Sequence, residues 1–457
     1  MKFVGRQQEM RELAEMEALS KKKLFIAALY GLRRIGKTRL LLEYVKERGI
    51  YFFVNKNKTS NDLLGEFSQI LREHGTITGL ETLNSWDNFV EAITTRQHPP
   101  IIFDEFQNFK LVEPAIFGIL QKNIDLNENK PGMIIFSGSL IGLMKKLFRD
   151  SKEPLYGRIK KGMKLEPLPL AASMQLASEL QLGKEEFLKL YCLFGGYPKY
   201  YVALEDFSLQ RQNAEKILDA LLLSKGAPLE DEAGSILSAE FGARSGTYYS
   251  ILEAIASGNN TLSSIACYLN LQPTSITRQI NELKDYFELI EFEMPYAGKR
   301  GIYKIKHPLM NFWFSQIYKN FSDYAARKPA FLNALKENMN SFYGKAFENA
   351  AKELLVRELK LEEAKRQWGK VQKGEKGKNA YEIDLIGKNG ESSFAFEFKF
   401  ATLERAQAIG ILKNLQGKAV HVHGLPSELK FGLVALKIRE KQKLRSAGYL
   451  AYDIDDF

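Results

Sequence analysis

Only two of the 457 residues are cysteine, Cys192 and Cys267, and they lie far apart with no metal-ligand spacing. That excludes a disulfide framework and a thiolate zinc site, and it fits a reducing compartment. Histidine is equally scarce, with five in all and none clustered with the cysteines. His421 and His423, in AVHVHGLP, read as a structural or surface pair on one face of a strand rather than as metal ligands. The opening stretch MKFVGRQQEM is polar and has no apolar core, so no secretory signal is expected. No apolar run approaches the roughly 20 residues that a membrane-spanning helix needs. The expectation is a cytoplasmic protein with no membrane partner.

What is present is ordinary for a globular chain. Hydrophobic residues make up 45% and charged residues 26%, and the length suggests roughly two to four domains. A net charge of +10 favours an anionic partner, nucleic acid first among them.

The most informative stretch is YGLRRIGKTRLLLEY, Tyr30 to Tyr44. Gly31, four further residues, then Gly36, Lys37 and Thr38 match the phosphate-binding loop at every fixed position. Glycine lets the backbone approach phosphate oxygens, lysine supplies a mobile charge for the β- and γ-phosphates, and threonine offers a hydroxyl to Mg²⁺. Arg33, Arg34, Ile35 and Arg39 fall within or beside the loop and are assigned to nucleotide binding with it. The apolar run LFIAALY reads as a buried strand before the loop, and TRLLLEYVKE as a helix whose N-terminus faces the phosphates. Downstream, PPIIFDEFQNF places Asp104 and Glu105 at the end of another apolar run. Asp104 suits the Mg²⁺ ion, and Glu105 suits the attacking water. Strands alternate with helices to about residue 170, which predicts a doubly wound α/β sheet with nucleotide at the C-terminal ends of its strands.

Residues 171–235 are helical in pattern, interrupted by Gly195-Gly196-Tyr197-Pro198. From 244 to 310, helical segments at 247–257, 261–269 and 273–286 precede two strands, ELIEFEMP and GIYKIKHP. This order predicts a winged helix-turn-helix. Thr274, Ser275, Thr277, Arg278, Gln279 and Asn281 occupy its recognition helix, and Lys299 and Arg300 its wing. Two readings remain open, nucleic-acid contact and protein contact, with DNA contact favoured. After a connector come a helix carrying Glu348, the basic segment KVQKGEKGKNA, and YEIDLIGKNGESSFAFEFKF. The last reads as a hairpin turning at Asn389-Gly390. Alternation puts Glu397 and Lys399 on one face, with Asp384 on the neighbouring strand and Phe394, Phe396, Phe398 and Phe400 on the other face.

Taken together, FVGR, GLRRIGKT, IIFDE, FSGS, LYGR, GGYP, the winged helix and FE…EID…EFK resemble the archaeal-type ATPases of the STAND/AAA+ group, in the form fused to a C-terminal PD-(D/E)xK nuclease-like domain. The resemblance implies that Val4, Gly5 and Arg6 lie on the adenine side, and that Pro198 of a lid packs near the adenine. It implies a sensor residue at Ser137 or Ser139. Arg158 is either a finger reaching the nucleotide of a neighbouring copy, in a homo-oligomer formed on ATP binding, or a surface arginine. In the nuclease-like hairpin, Asp384 and Glu397 would hold Mg²⁺ or Mn²⁺ and Lys399 would position water or neutralise charge. Glu348 would complete the metal shell or a network around it. The alternative is a solvated strand face in a domain that binds DNA without cutting it. The expected architecture is multidomain α/β. It comprises a P-loop, AAA+-like core over 1–170, a helical lid over 171–235 and a winged helix over 236–320. A connector over 321–340 and a restriction-endonuclease-like domain over 341–457 complete it.

Overall fold

Leu24–Tyr30, almost without polar side chains, forms β1 and is buried along nearly its whole length. In this computed structural model, which describes residues 1–242, 246–371, 380–390, 392–426 and 428–457, β1 is the fourth strand of a five-stranded sheet. Helix α1 (Gln7–Ser20) precedes it, and α2 (Lys37–Val45) follows the glycine loop. Then come β2 (Ile50–Phe53), α3 (Ser60–Glu73), α4 (Trp86–Thr95), β3 (Ile101–Asp104), α5 (Phe109–Val112), α6 (Ile116–Leu126), β4 (Gly132–Gly138), α7 (Ile141–Arg149) and β5 (Lys161–Lys164). The order is β2-β3-β4-β1-β5 and every pairing is parallel. Ile26 and Ile101 pack into one face of this sheet and Leu29 and Ile102 into the other, so both faces are covered, as a parallel sheet requires. The strand after Gly157-Arg158 forms over Lys161–Lys164 rather than over KLEPL, because its backbone pairs with Ala27–Tyr30 and the chain leaves the sheet at Leu165.

Helices then dominate: α8 (Leu170–Glu179), α9 (Lys184–Phe194), α10 (Pro198–Asp206), α11 (Ala214–Leu218) and α12 (Glu232–Phe241). Pro198 opens α10, where its missing N–H costs nothing. Next come α13 (Gly246–Ala256), α14 (Leu262–Tyr268) and α15 (Pro273–Asn281), then an antiparallel pair, β6 (Ile290–Glu293) and β7 (Ile302–Ile305). Thr261 and Ser264 cap α14 reciprocally. Helices α16 (Pro308–Phe312) and α17 (Phe321–Ala325) lead into α18, 31 residues from Pro329 to Leu359, which runs unbroken through residue 340.

The C-terminal sheet comprises β8 (Glu363–Lys370), β9 (Ala380–Asn389), β10 (Ser392–Leu403), β11 (Leu429–Ile438) and β12 (Leu450–Tyr452), with α19 (Arg405–Ala419) and α20 (Lys441–Ser446). Its order is β12-β11-β10-β9-β8; β10 is parallel to β11 and antiparallel to β9. The hairpin turns where Asn389-Gly390 predicts it. Phe396 and Phe398 are buried toward α18. The AVHVHG segment is not a strand. Its first residue, Ala419, ends α19, and the rest forms the turns that follow, with Gly424 at positive φ. Most of the basic segment 370–380 lies outside the described residues. Among the described residues no helix is long and apolar enough to cross a membrane.

Candidate functional site

The loop between β1 and α2 closes over its own lysine. Lys37 Nζ donates to the carbonyls of Gly31 at 2.9 Å and Leu32 at 3.0 Å. A Cβ on Gly31 would come within 2.5 Å of the Leu165 carbonyl, and Gly36 sits at φ +93°, so neither position accepts a side chain without strain. Burial pulls Lys37 down to about 8 although Glu105 and Asp104 raise it.

Asp104 ends β3, buried. Its Oδ2 accepts from Thr38 Oγ1 at 2.6 Å and from Tyr51 Oη at 2.9 Å. Glu105 is held at φ +52°, a strained position for a non-glycine residue. Ser139 Oγ donates to both of its carboxylate oxygens at 2.8 and 2.9 Å, and Gln107 Nε2 donates to one at 2.5 Å. Strand β4 lies between β1 and β3, so the residue after its tip falls between the glycine loop and Glu105. That residue is Ser139. Ser137, two positions earlier, is fully buried, and its Oγ has no hydrogen-bond partner among the described residues.

On the far side of the loop, Val4, Arg6, Ile35, Gly36, Arg39 and Pro198 share a cavity of about 320 Å³. Arg6 is buried and donates to the Ile35 carbonyl at 3.1 Å. The N-terminal segment, the glycine loop and Pro198 thus meet around an apolar space beside the glycine loop. Gly5 adjoins it, packed on Ala172.

Sequence reasoning missed the carboxylates that α12 brings to the loop. Arg34, itself at φ +69°, donates to Glu232 at 2.8 and 3.2 Å. Glu240 carries a buried Oε1 without a partner among the described residues, and burial pushes its carboxyl up to about 8 against the pull of Arg33 and Lys37. Nothing local marks these residues; a tertiary contact across 198 positions delivers Glu232.

Arg158 is not at this site. It precedes β5, the strand beside β1, and so lies toward the N-terminal ends of the strands, away from the glycine loop at their C-terminal ends; Asp125 accepts from it at 3.0 and 2.8 Å. It can meet a nucleotide only across a contact between copies.

The C-terminal carboxylates converge separately. Strands β9 and β10 pair up to Leu385 and Phe396 and then diverge. The Phe398 amide, released from the ladder, donates to Asp384 Oδ2 at 2.7 Å. Burial and the neighbouring charge of Glu397 push the Asp384 carboxyl up to about 7. Glu397 accepts from Lys399 at 2.9 Å and from Lys418 at 3.1 and 3.0 Å. Glu348 lies close enough for its charge to raise Asp384 further, yet its carboxylate is 3.4 Å from Arg366. Glu348 thus stands between Arg366 and Asp384. No group of three or more acidic, histidine or cysteine side chains among the described residues is arranged to hold a metal.

Residues 3–204 match the family described as an ATPase domain predominantly from Archaea, and residues 313–411 match one described as archaeal and bacterial proteins of unknown function. Over its whole length the chain is 28% identical to an uncharacterized protein of Methanocaldococcus jannaschii, all of which it covers. Among solved structures it is similar to the Walker-type ATPase PABY2304 of Pyrococcus abyssi, with a TM-score of 0.54 and 21% identity over 68% of this chain and 95% of that one. The N-terminal domain is a P-loop ATPase domain.

Proposed function

With an ATPase domain as its N-terminal part, we propose that this protein couples ATP turnover to nucleic-acid binding and metal-dependent nucleic-acid cleavage. Thr38 and Asp104, a hydroxyl and a buried carboxylate 2.6 Å apart, are hard oxygen donors suited to Mg²⁺. Magnesium held there supplies positive charge to the β- and γ-phosphates. Lys37 adds its own charge, and Glu105, steered by Ser139 and Gln107, orients the attacking water and takes its proton. Arg158 acts from a neighbouring copy in a homo-oligomer that ATP assembles. Helices α13 to α15 with β6 and β7 serve as a winged helix-turn-helix.

The observation that carries the cleavage reading is the Asp384–Glu397 pair where β9 and β10 diverge, with Lys399 beside it. The Asp384 carboxyl is raised to about 7 by burial first and by the charge of Glu397 second, and a cation between the two carboxylates relieves the second of these. Asp384 and Glu397 would hold a divalent metal there, which would supply an activated water and charge to neutralise the scissile phosphate. Lys399 neutralises charge at the same place. The test separates the two sites. Lys37→Ala abolishes ATP turnover. Asp384→Ala or Glu397→Ala abolishes metal-dependent cleavage of DNA or RNA and leaves ATP turnover intact. Loss of turnover in the C-terminal variants would sink the two-site account.

A second reading rests on the two lysines bound to Glu397. In it the C-terminal domain binds DNA without cutting it, and the protein is a nucleotide-switched regulator. Slow turnover, nucleotide-dependent oligomerisation and DNA binding without cleavage distinguish it.

A further inference from the structure

The loop between β6 and β7 does not project freely. It is bonded along the edge strand of the C-terminal sheet. The Tyr296 amide donates to the Arg366 carbonyl at 2.8 Å, the Ala297 amide to Gln367 Oε1 at 2.7 Å, and Trp368 Nε1 to the Arg300 carbonyl at 3.1 Å. Between this loop, β8, the start of β9 and the turns after α19 lies a cleft of about 1170 Å³. That exceeds the roughly 300–1,000 Å³ of small-molecule pockets.

Its lining is cationic and aromatic. Among the described residues it presents Lys299, Arg300, Lys304, Arg366 and Lys370 against a single carboxylate, Glu382. Lys304 and Arg366 are occupied by Glu293, Glu348 and Glu382. Lys299, Arg300 and Lys370 are exposed and pair with no carboxylate among the described residues. Trp368 and Tyr381 are anchored at their polar ends, the tyrosine hydroxyl donating to the His421 carbonyl at 3.1 Å. Fixed rings beside free cations are what a single nucleic-acid strand requires: phosphates follow the charges and bases stack on the rings, whatever the sequence. Helix α15 offers less. Its exposed face carries one cation, Arg278, already paired with Glu282 at 2.9 Å. A loop fastened to β8 is also not free to enter a duplex groove on its own.

Strand β9 passes from the cleft wall to the carboxylate pair: Glu382 lines the cleft, and Asp384 follows it two residues along the same strand. We propose that this cleft is a groove for a single nucleic-acid strand, with phosphates along Lys299, Arg300 and Lys370 and bases on Trp368 and Tyr381, and that it delivers the strand to Asp384 and Glu397. The proposal rests on the nucleic-acid-binding part of the function above.

The test is fluorescence anisotropy on the full chain in EDTA, which stops metal-dependent cleavage. The probes are labelled oligothymidine, oligouridine and a DNA duplex, each about 20 nucleotides long, beyond the roughly 4–16 that such grooves cover. Wild type binds a single strand more tightly than duplex. Trp368→Ala weakens single-strand binding about tenfold or more. Lys299→Ala with Arg300→Ala lowers the slope of log affinity against log salt by about 1.4, the loss of two phosphate contacts. Thermal melting unchanged from wild type in both variants excludes misfolding as the cause. Tighter binding of oligothymidine or of oligouridine assigns the strand to DNA or RNA, and either supports the groove. Single-strand binding undiminished in both variants overturns the groove and leaves the function above standing. A duplex preference that these variants weaken overturns the choice of a single strand. Wild type that binds none of the probes removes the nucleic-acid reading itself.

Discussion

At the scale of single residues, the two serines on β4 give the sharpest contrast. Ser139 touches both oxygens of Glu105, whereas Ser137 touches no polar partner among the described residues. Ser139→Ala therefore lowers kcat for ATP about tenfold, the order expected when a general base loses one orienting bond, and leaves KM nearly unchanged. Ser137→Ala leaves kcat within about twofold, because it removes a hydroxyl that makes no bond. Steady-state ATPase kinetics on the two variants decides it. Lys37 carries a pH signature. Its ammonium is held down to about 8, so the free enzyme loses this charge as pH rises through that value. Nucleotide affinity falls from pH 7 to pH 9, as a fluorescent ATP analogue titrated across that range will report. Asp384 runs the other way in stability. Its folded carboxyl is raised from 3.8 to about 7, so the native state holds the proton more tightly than the unfolded chain. Stability is then lost as pH rises from about 4 through 7. Asp384→Asn removes that loss and raises the melting temperature at pH 8 but not at pH 4, as differential scanning fluorimetry measures.

At the scale of elements, α12 runs across the expected boundary at 235, and nothing in its sequence marks it as a partner of the glycine loop. Its turn periodicity is local information. The contact of Glu232 with Arg34 depends on how the lid folds back over the sheet. The same holds for the buried chain that continues from it. Tyr200 Oη lies 3.5 Å from Glu232 and 3.3 Å from His307 Nε2, and the His307 ring stacks on Tyr197 at 4.0 Å. His307 precedes α16, directly after β7. Burial drives this imidazole far down, to about 3, so it stays neutral and serves as a hydrogen-bonding group. An arginine of the glycine loop is thereby connected, through Glu232 and Tyr200, to the segment that follows the β6–β7 pair. A cycle of Arg34→Ala, Glu232→Ala and the double variant, read as nucleotide affinity, gives a coupling energy of about 1 kcal/mol or more for this half-buried bidentate pair. Additive single effects would show that the contact transmits nothing. The glycine loop and the DE pair, by contrast, were legible because their chemistry fixes residue types at fixed spacing. Asp384 and Glu397 were legible because strand alternation and an Asn-Gly turn determine which residues face each other. The histidine pair misled because the V-x-V spacing of a strand also fits the end of a helix and its turn.

At the scale of the whole molecule, one hydrophobic cluster runs from the N-terminal sheet through the lid and the three-helix unit to α18 and the C-terminal sheet. Glu353 of α18 accepts from Tyr191 Oη at 2.6 Å and from the Leu170 amide at 2.8 Å, which binds the lid to the helix beneath the C-terminal sheet. Helix α18 runs through the expected boundary at 340 because its apolar residues serve both neighbours, Leu335 and Met339 on one side and Phe347 and Leu354 on the other. The central claim, that an ATPase is joined to a cutting site, is tested most directly by incubating the purified full chain with single-stranded and plasmid DNA and with RNA. Each is incubated with Mg²⁺ or Mn²⁺, with and without ATP. The account predicts cleavage that requires the metal, changes with ATP in wild type and disappears in Asp384→Ala. Intact nucleic acid under every condition, from protein that still turns over ATP, would contradict it.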